Sequence, residues 1–427
     1  MSEPKPIGKP FDISKQLVWE AYRRVKANKG APGVDEVSIA DFEGDLKGNL
    51  YKIWNRLSSG TYFPPPVRAV EIPKAHGPGM RVLGVPTVGD RVAQTVAKLV
   101  LEPMVEPVFH DDSYGYRPGR KAQDALAVCR QRCFTSDWVV DLDVQAFFDS
   151  VPHDRVLAAV AHHLDGHPEL RWIMLYVGRW LTAPIQQRDG VLVARDRGTP
   201  QGSAISPLLA NLFLHYAFDR WLSEHYPGVG FERYCDDAVV HCRSHEQAVL
   251  VRDAIAHRLA EFGLRLHPDK TRIVYCKDSN RRDVHEVTSF VFLGYEFRPR
   301  RAKGRNGKLF TGFLPAVSTA AIKKIGNQIR SWRLGRRSGS TLGDLARLIN
   351  PVVAGWVNYY GCFYHSKLTN LLARLNRHIL RWAGKKYKGL SYRKARRRLA
   401  EVAHERPRLF AHWKAGAYPD GWAAGAV

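Results

Sequence analysis

The chain has 427 residues, which is too long for one compact core, so we expect two or three domains. Lysine and arginine number 65 against 41 acidic residues, giving a net charge of +24 in a composition that is 45% hydrophobic. So large a positive charge on a folded chain indicates a polyanionic partner such as a nucleic acid.

The sequence shows no pattern of a membrane protein. No stretch approaches the roughly 20 apolar residues that a spanning helix needs. The first residues, MSEPKPIGKPFDISKQ, lack the apolar core of a signal peptide. We therefore expect a cytoplasmic protein without a membrane partner.

Cysteine spacing argues against a zinc site, which would need closely spaced Cys or His pairs. Six cysteines are scattered along the chain, and only Cys129 and Cys133 have helical spacing, with no second pair after them. We expect buried, reduced thiols.

The first predicted elements that bear on chemistry are a strand and the helix that follows it. In DWVVDLD (137–143), Trp, Val and Leu alternate with Val, Asp and Asp, which is the period of a strand. In HDRVLAAVAHHL (153–164), apolar residues recur on one helical face, and Asp154 lies near the N-terminus, where its charge suits the helix dipole. Strands and helices mixed in this order predict an α+β core.

The stretch FERYCDDAVVHC (231–242) places two acids, Asp236 and Asp237, in an apolar, β-prone run, which predicts a hairpin with both acids at its tip. Adjacent carboxylates repel each other, and a divalent cation such as Mg²⁺ turns that repulsion into attraction. A solvated acidic turn would also explain the pair, so the metal hypothesis needs a third carboxylate. Asp143 at the end of the first strand meets that need, with Asp141 as its competitor. Three such groups could hold two ions about 4 Å apart for phosphoryl transfer.

Most of the excess charge lies near the C-terminus. Residues 321–400 contain nineteen Lys or Arg and one acid, Asp344. A solvated helical face explains many charge runs, but tryptophans and tyrosines lie between these cations, and that mixture also fits phosphate neutralisation and base stacking. We therefore predict a helical RNA-binding region. Its candidate contacts are Arg374, Arg377, Arg381, Arg393, Lys394, Arg396, Arg397 and Arg398.

Nine blocks of sequence, in order, resemble the reverse transcriptases, and among them the group II intron-encoded reverse transcriptase/maturases. The blocks are NKGAPGVDEVSI (28–39), VEIPKAHGPGMRVLGVPTVGDRVAQ (70–94), SYGYRPGRKAQDAL (113–126), DLDVQAFFDSVPHD (141–154), GTPQGSAISPLLANLFL (198–214), RYCDDAVVHC (233–242), FGLRLHPDKTRIV (262–274), FVFLGYEF (290–297) and NPVVAGWVNYYGCF (350–363). The resemblance implies a right-hand polymerase, with α+β fingers and palm over residues 1–300. An all-helical, basic thumb/maturase region over 301–427 would follow.

The resemblance also implies roles in catalysis. Asp143, Asp236 and Asp237 match the catalytic aspartates, which would hold two Mg²⁺ ions, with Mn²⁺ as the alternative ion. Phe148, five residues after Asp143, matches an aromatic residue that gates the sugar's 2′ position. A core role for Phe148, or its confusion with Phe147, stays open.

Four further side chains match contacts to the incoming nucleotide: Lys74, Arg81, Gln201 and Lys270. Cations there can neutralise charge that moves onto the departing pyrophosphate. Without the surrounding blocks, Lys74 and Arg81 would fit a solvated hairpin equally well, and Lys270 would fit a surface turn.

The expected function is copying an RNA template into DNA from a DNA primer and dNTPs, together with binding intron RNA to assist splicing and mobility. Some relatives add an HNH endonuclease with Cys/His metal ligands. Here Cys362 is the last cysteine and the nearby histidines lack ligand spacing, so we expect a form without it. Two alternatives stay open. One is a related reverse transcriptase in phage defence or DNA repair, and the other is an RNA-binding splicing factor whose polymerase site is idle.

Overall fold

The computed structural model describes residues 9–73, 79–304 and 306–419. Its helices are α1 (Lys15–Asn28), α2 (Ile39–Gly44), α3 (Leu46–Ser59), α4 (Val88–Val105), α5 (Ala122–Thr135), α6 (Phe147–Ser150), α7 (His153–Leu164), α8 (Arg171–Thr182), α9 (Ser206–Leu214), α10 (Arg220–His225), α11 (His245–Glu261), α12 (Thr319–Ser331), α13 (Leu342–Tyr360), α14 (His365–Lys386), α15 (Tyr392–Glu405) and α16 (Ala411–Lys414). Its strands are β1 (Val67–Pro73), β2 (Met80–Val85), β3 (Trp138–Asp143), β4 (Ile185–Gln186), β5 (Leu192–Val193), β6 (Gly230–Tyr234), β7 (Asp237–Cys242), β8 (Arg272–Tyr275), β9 (Phe290–Phe292), β10 (Tyr295–Lys303) and β11 (Leu309–Val317).

The described chain forms two compact units. The first comprises the residues up to Ala125 together with 140–272, and the second comprises 126–139 together with the residues from Ile273 onward. The predicted mixture of strands and helices is confirmed, because both units contain each kind of element.

The sheet that carries the acidic residues has the strand order β6-β7-β3-β8. β6 and β7 form the predicted antiparallel hairpin, and Tyr234 pairs with Asp237, so Cys235 and Asp236 make up its two-residue tip. Asp236 therefore lies at the tip as predicted, whereas Asp237 is the first residue of β7. β3 is also where the sequence predicted a strand. Residues 138–142 are all buried, however, so the alternation marks a strand covered on both faces.

A second sheet has the order β2-β1-β4-β5. β1 and β2 are antiparallel, with register from Arg68↔Val85 to Pro73↔Met80. Residues 74–78, and with them Lys74, lie outside the described residues.

A long helical segment runs from α9 to α10 through five residues of π-helix, His215–Asp219. The wider turn is the kind of local distortion that often marks a functional site. Its last residue, Asp219, is completely buried.

The second unit combines a three-stranded sheet with a helical core. The sheet has the order β11-β10-β9, and its long hairpin pairs Tyr295 with Val317 and Lys303 with Leu309. The helices of the basic region therefore begin at Thr319. This corrects the expectation of an all-helical region from residue 301, because residues up to 317 complete the hairpin.

The helical part of the second unit packs around large apolar side chains on α14 and α16, including Ile379, Trp382 and Trp413. α14 is amphipathic, since its leucines are buried and its arginines exposed. None of the described helices combines the length and the apolar character that crossing a membrane requires. Five of the six cysteines are buried, as expected, but Cys362 is exposed.

Candidate active site

The hairpin tip holds Asp236 in a constrained backbone. Cys235 has φ of +61°, a left-handed conformation that non-glycine residues adopt at a cost. The backbone of the neighbouring segment lies directly against it, because a Cβ at Gly115 would lie 2.5 Å from the Cys235 nitrogen. Glycine is therefore required at position 115. This contact supports the turn that presents Asp236.

A buried arginine, which the sequence did not single out, holds the same turn in place through hydrogen bonds. Arg233 is 1% exposed, and its Nη1 donates to the carbonyl oxygen of Cys235 at 2.9 Å. Its Nε and Nη2 donate to both carboxylate oxygens of Asp219 at 2.6 and 2.5 Å. Two more acceptors complete the set, Asn211 Oδ1 at 3.0 Å and Ser113 Oγ at 2.8 Å.

This network fixes the hairpin because each partner comes from a different part of the first unit. A buried charge is tolerated only when it is paired and hydrogen-bonded, and Arg233 is. Asp219 is the last residue of the π-helical segment, and both of its carboxylate oxygens accept from Arg233. Asn211 on α9 also donates to the carbonyl of Gly115 at 2.6 Å, which ties the supporting segment to the same network.

Asp143 lies at the end of β3 and is partly exposed. Its backbone carbonyl oxygen accepts a hydrogen bond from the backbone nitrogen of His267 at 2.7 Å, which holds the strand end in place. Lys270, one of the predicted nucleotide contacts, reaches the Asp143 carboxylate with its Nζ at 3.4 Å. The structure therefore brings these two predicted residues together.

Asp141 has a different partner, which separates it from Asp143. Its side chain is almost buried and forms an ion pair with Arg272 at 3.3 Å. Burial raises the pKa of Asp141 to about 6, and the Arg272 charge opposes that rise. Both carboxylates face a cation, but Asp143 is the more exposed of the two, which favours it as a metal ligand in agreement with the sequence interpretation.

The charges of three predicted residues act on one another. Burial raises the pKa of Asp236, the Asp143 carboxylate raises it further, and the Arg81 guanidinium opposes the rise. Asp143 and Asp236 are thus close enough for mutual repulsion. A divalent cation between them would offset that repulsion, and partly exposed carboxylate oxygens are the ligands that Mg²⁺ prefers. The residues present fit a divalent metal.

Two further residues that the sequence did not single out lie near Arg81. Burial raises the pKa of Asp149, and the Arg81 charge opposes that rise. The pKa of Tyr116 is raised by burial and by neighbours that include Asp236, while Arg81 opposes the rise. Tyr116 has φ of +58°, and its ring centre lies 6.3 Å from that of Tyr234.

The structure distinguishes the two adjacent phenylalanines. Phe147 is 2% exposed and packs against Phe213, so it belongs to the core. Phe148 is half-buried, and its carbonyl oxygen accepts from the Thr199 nitrogen at 2.7 Å. Phe148 is therefore the more accessible ring, and it lies beside the loop that leads to Gln201.

The loop of Gln201 rests directly on β2. The Gly84 nitrogen donates to the Gln201 carbonyl at 2.8 Å. A Cβ at Gly202, whose φ is +121°, would lie 2.7 Å from the Gly84 oxygen. Only glycine permits this close approach. The contact sets the position of Gln201 relative to the strand that carries Arg81.

A buried hydrogen-bond network holds the other end of this loop. Oε1 of Gln94 accepts from Ser203 Oγ at 2.5 Å and from the Ala204 nitrogen at 2.8 Å. Its Nε2 donates to Asp90 at 2.8 Å. Asp90 also accepts from Tyr62 and from Trp180, each at 2.8 Å, and burial raises its pKa to about 6 despite these donors.

The predicted RNA contacts lie on two helices of the second unit. Three of them are on the exposed face of α14: Arg374, Arg377 and Arg381. The others are on α15: Arg393, Lys394, Arg396, Arg397 and Arg398. One of the α15 residues is already paired, because Arg397 lies 3.4 Å from Glu401.

Comparison with known families agrees with this geometry. Residues 72–297, more than half of the chain, match the family described as reverse transcriptase (RNA-dependent DNA polymerase). The chain belongs to the reverse transcriptase family. Residues 322–400 match a second family, the group II intron maturase-specific domain. The expected type of reverse transcriptase is thereby confirmed.

Two relatives and one solved structure give the extent of the similarity. Protein YkfC of Escherichia coli (strain K12) is 30% identical over 349 residues, which cover 72% of this chain and 85% of YkfC. The group II intron-encoded protein LtrA of Lactococcus lactis subsp. cremoris is 31% identical over 203 residues, 48% of this chain and 33% of LtrA. The alignment with LtrA thus covers about a third of LtrA. A telomerase from Candida albicans, solved in complex with a fragment of telomeric RNA, has 11% identity, a TM-score of 0.47 and coverage of 91% of this chain and 69% of its own.

Proposed function

We propose that this reverse transcriptase copies RNA into DNA with two divalent cations held by Asp143, Asp236 and Asp237. The observation that carries the proposal is the electrostatic contact between Asp143, Asp236 and Arg81, formed at a hairpin tip that Arg233 fixes. Mg²⁺ is the expected ion, with Mn²⁺ as an alternative, because carboxylate and phosphate oxygens suit both.

In the proposed reaction the primer's 3′ oxygen attacks the α-phosphorus of a dNTP, and the bond to pyrophosphate breaks. The two ions, when bound, would activate the attacking oxygen and offset charge on the departing one. Arg81 would neutralise part of the triphosphate, and Lys270 would shift from Asp143 toward the phosphates. Phe148 would close the space at the sugar's 2′ carbon. Lys74, whose placement is not described, keeps its predicted role on the triphosphate.

We also propose that the basic helices bind intron RNA and so assist splicing and mobility. The match to the maturase-specific domain and the exposed cations of α15 support this proposal. Changing the five α15 cations named above to glutamine should weaken RNA binding. It should also reduce the slope of log K against log[salt] by about 0.7 for each phosphate of single-stranded RNA that is no longer neutralised. An unchanged affinity and slope would mean that this face is only solvated.

The polymerase proposal is tested by primer extension. The chain is incubated with an RNA template, a DNA primer and dNTPs in Mg²⁺, in Mn²⁺ and in excess chelator. We expect extension that either metal supports and the chelator abolishes. Tight binding of the primer–template without extension in any metal would contradict the proposal and favour a splicing factor with an idle polymerase site.

A further inference from the structure

An exposed tyrosine stands next to the hairpin tip in an unusual backbone conformation. Tyr116 is 56% exposed and has φ of +58°, in the left-handed region that bulky residues adopt at a cost. Glycine or asparagine would adopt this conformation more readily. Tyr116 directly follows Gly115, whose backbone lies against Cys235 of the tip. A large ring that is neither packed in the core nor favoured by its backbone needs a reason outside the folded chain.

The residues on either side hold Tyr116 at a fixed place. Before it, the carbonyl oxygen of Gly115 accepts from the side-chain amide of Asn211 at 2.6 Å. After it, the buried Arg117 donates from Nη1 to the carbonyl oxygen of Ser113 at 2.6 Å. The exposed ring therefore projects from a backbone that is fixed at both neighbouring positions.

Tyr116 lies at the β6 edge of the sheet that carries the acids. Ser113, three residues earlier, forms a parallel bridge with Arg233 of β6. The ring centre of Tyr116 lies 6.3 Å from that of Tyr234 at the end of the same strand, within the range of aromatic pairs. The segment thus adds one member to the order β6-β7-β3-β8, beside β6.

This order indicates which substrate Tyr116 faces. Lys270, which the proposed reaction assigns to the phosphates, lies against Asp143 and directly precedes β8. In an in-line displacement, the attacking oxygen and the departing pyrophosphate lie on opposite sides of the α-phosphorus. In the proposed reaction the primer's 3′ end therefore approaches from the side of β6, where Tyr116 and Tyr234 lie.

We propose that the ring of Tyr116 packs against the sugar and the base edge of the primer's terminal nucleotide, and so makes DNA synthesis depend on a correctly paired primer end. The Watson–Crick pairs place that sugar and edge at one point, whereas a mismatch displaces them. A ring held at a fixed place contacts the first and misses the second. Tyr116 is thus a positioning residue, and the inference rests on the proposed function in placing the primer end at Asp236.

The test compares two DNA primers on one RNA template, one ending in a paired base and the other in a mispaired base. Single-nucleotide addition gives kcat and KM for the next dNTP with each primer. Tyr116→Asn removes the ring but tolerates the left-handed backbone, so it should keep the wild-type unfolding temperature. We expect its rate from the paired primer to fall roughly tenfold, as for the loss of one aromatic contact to a base. The rate from the mispaired primer and the KM for dNTP should not change, so the ratio of the two rates falls by the same factor.

Three further variants serve as controls. Tyr116→Gly also accepts a positive φ, and as a second variant without the ring it should match Tyr116→Asn. Tyr116→Phe retains the ring and should retain the wild-type ratio of rates. Tyr51→Ala removes a tyrosine of α3 that is 55% exposed, and it should leave both rates unchanged. A wild-type ratio for folded Tyr116→Asn and Tyr116→Gly would overturn the proposal.

The remaining outcomes assign the contact. If Tyr116→Asn raises the KM for dNTP and leaves the ratio unchanged, the ring contacts the incoming nucleotide and the assignment to the primer is wrong. If Tyr116→Phe loses as much as Tyr116→Asn, the hydroxyl carries the effect and packing by the ring is wrong. Affinity for both primer–templates is also measured without dNTP. If the wild type extends neither primer but prefers the paired end, and Tyr116→Asn loses that preference, the polymerase proposal fails and the contact at Tyr116 stands.

Discussion

The buried amide of Gln94 joins Asp90 to the loop of Gln201, and a glutamate at this position should make nucleotide use depend on pH. Glutamate has nearly the same shape and keeps the acceptor oxygens for Ser203 and Ala204. It also faces the Asp90 carboxylate, where the amide nitrogen now donates at 2.8 Å. Two carboxylates this close cannot both ionise without a large cost, so they share one proton.

The pKa of Asp90 sets the pH range over which the Gln94→Glu variant should change its behaviour. Burial raises its pKa to about 6 in the wild type, and a second carboxylate would raise the pKa of the pair further. Near pH 6 the shared proton restores the hydrogen bond, and the Gln94→Glu variant should resemble the wild type. Well above the pKa of the pair the proton is lost and the loop shifts. Because a displacement near 1 Å can cost about 10²-fold, we expect KM for dNTP to rise roughly tenfold to a hundredfold.

The assay is single-nucleotide addition to a DNA primer on an RNA template, with KM and kcat determined separately at low and high pH. Gln94→Leu is the companion variant. It breaks all three hydrogen bonds at about 1 to 3 kcal/mol for each buried group left unpaired, and it should not recover at low pH. A folded Gln94→Glu protein with the wild-type KM at both pH values would refute the reasoning.

Three other predictions concern residues of the first unit. Phe148→Val should raise ribonucleotide incorporation relative to deoxynucleotide incorporation on the same template, and an unchanged ratio would return Phe148 to the core. Arg233→Lys keeps the charge but cannot donate to all the acceptors around it, so it should lower the free energy of unfolding by about 3 kcal/mol or more and reduce kcat. Chemical denaturation measures the first effect and extension assays the second. A variant with wild-type stability would contradict the role of the buried network. Asp141→Asn should retain extension in Mg²⁺ while Asp143→Asn loses it, and equal losses in the two would mean that the ion pair with Arg272 does not separate their roles.

Local sequence predicted the elements that present the acids. The β-prone segments around Asp236 and Asp237 form the expected hairpin, and the alternating segment before residue 144 forms the expected strand. These predictions succeeded because side-chain period and turn position are properties of a few consecutive residues. The resemblance added Lys270 as a nucleotide contact, which stays a prediction, and the structure places its Nζ 3.4 Å from the Asp143 carboxylate.

The buried polar networks could not be predicted in the same way. The Gln94 amide meets Ser203 at a sequence separation of 109 residues, and Arg233 meets Ser113 at a separation of 120. No local pattern encodes such contacts, and a buried arginine looks like a surface arginine in sequence. Its place in a β-prone run, directly before the tyrosine and the acids, was the available signal.

The start of the helical region was misplaced for a related reason. The excess of positive charge marks a distinct C-terminal region, but charge does not distinguish strands from helices. Arg300 lies in β10 and is only 7% exposed, with Glu296 accepting from its Nη2 at 2.9 Å and the Leu314 carbonyl accepting from its Nε at 3.1 Å. This cation is therefore part of the hairpin's internal packing.

We propose that Asp143, Asp236 and Asp237 carry metal-dependent DNA synthesis on RNA. The most direct measurement compares wild type and Asp236→Ala in single-nucleotide addition at saturating RNA–DNA primer–template and Mg²⁺, with hybrid affinity measured in parallel. Each factor of ten in rate corresponds to about 1.4 kcal/mol of transition-state stabilisation, so removal of a charged metal ligand should cost roughly three decades or more. We expect that decrease with hybrid affinity unchanged, whereas a variant that keeps a tenth of the wild-type rate would contradict the assignment of Asp236 as a metal ligand.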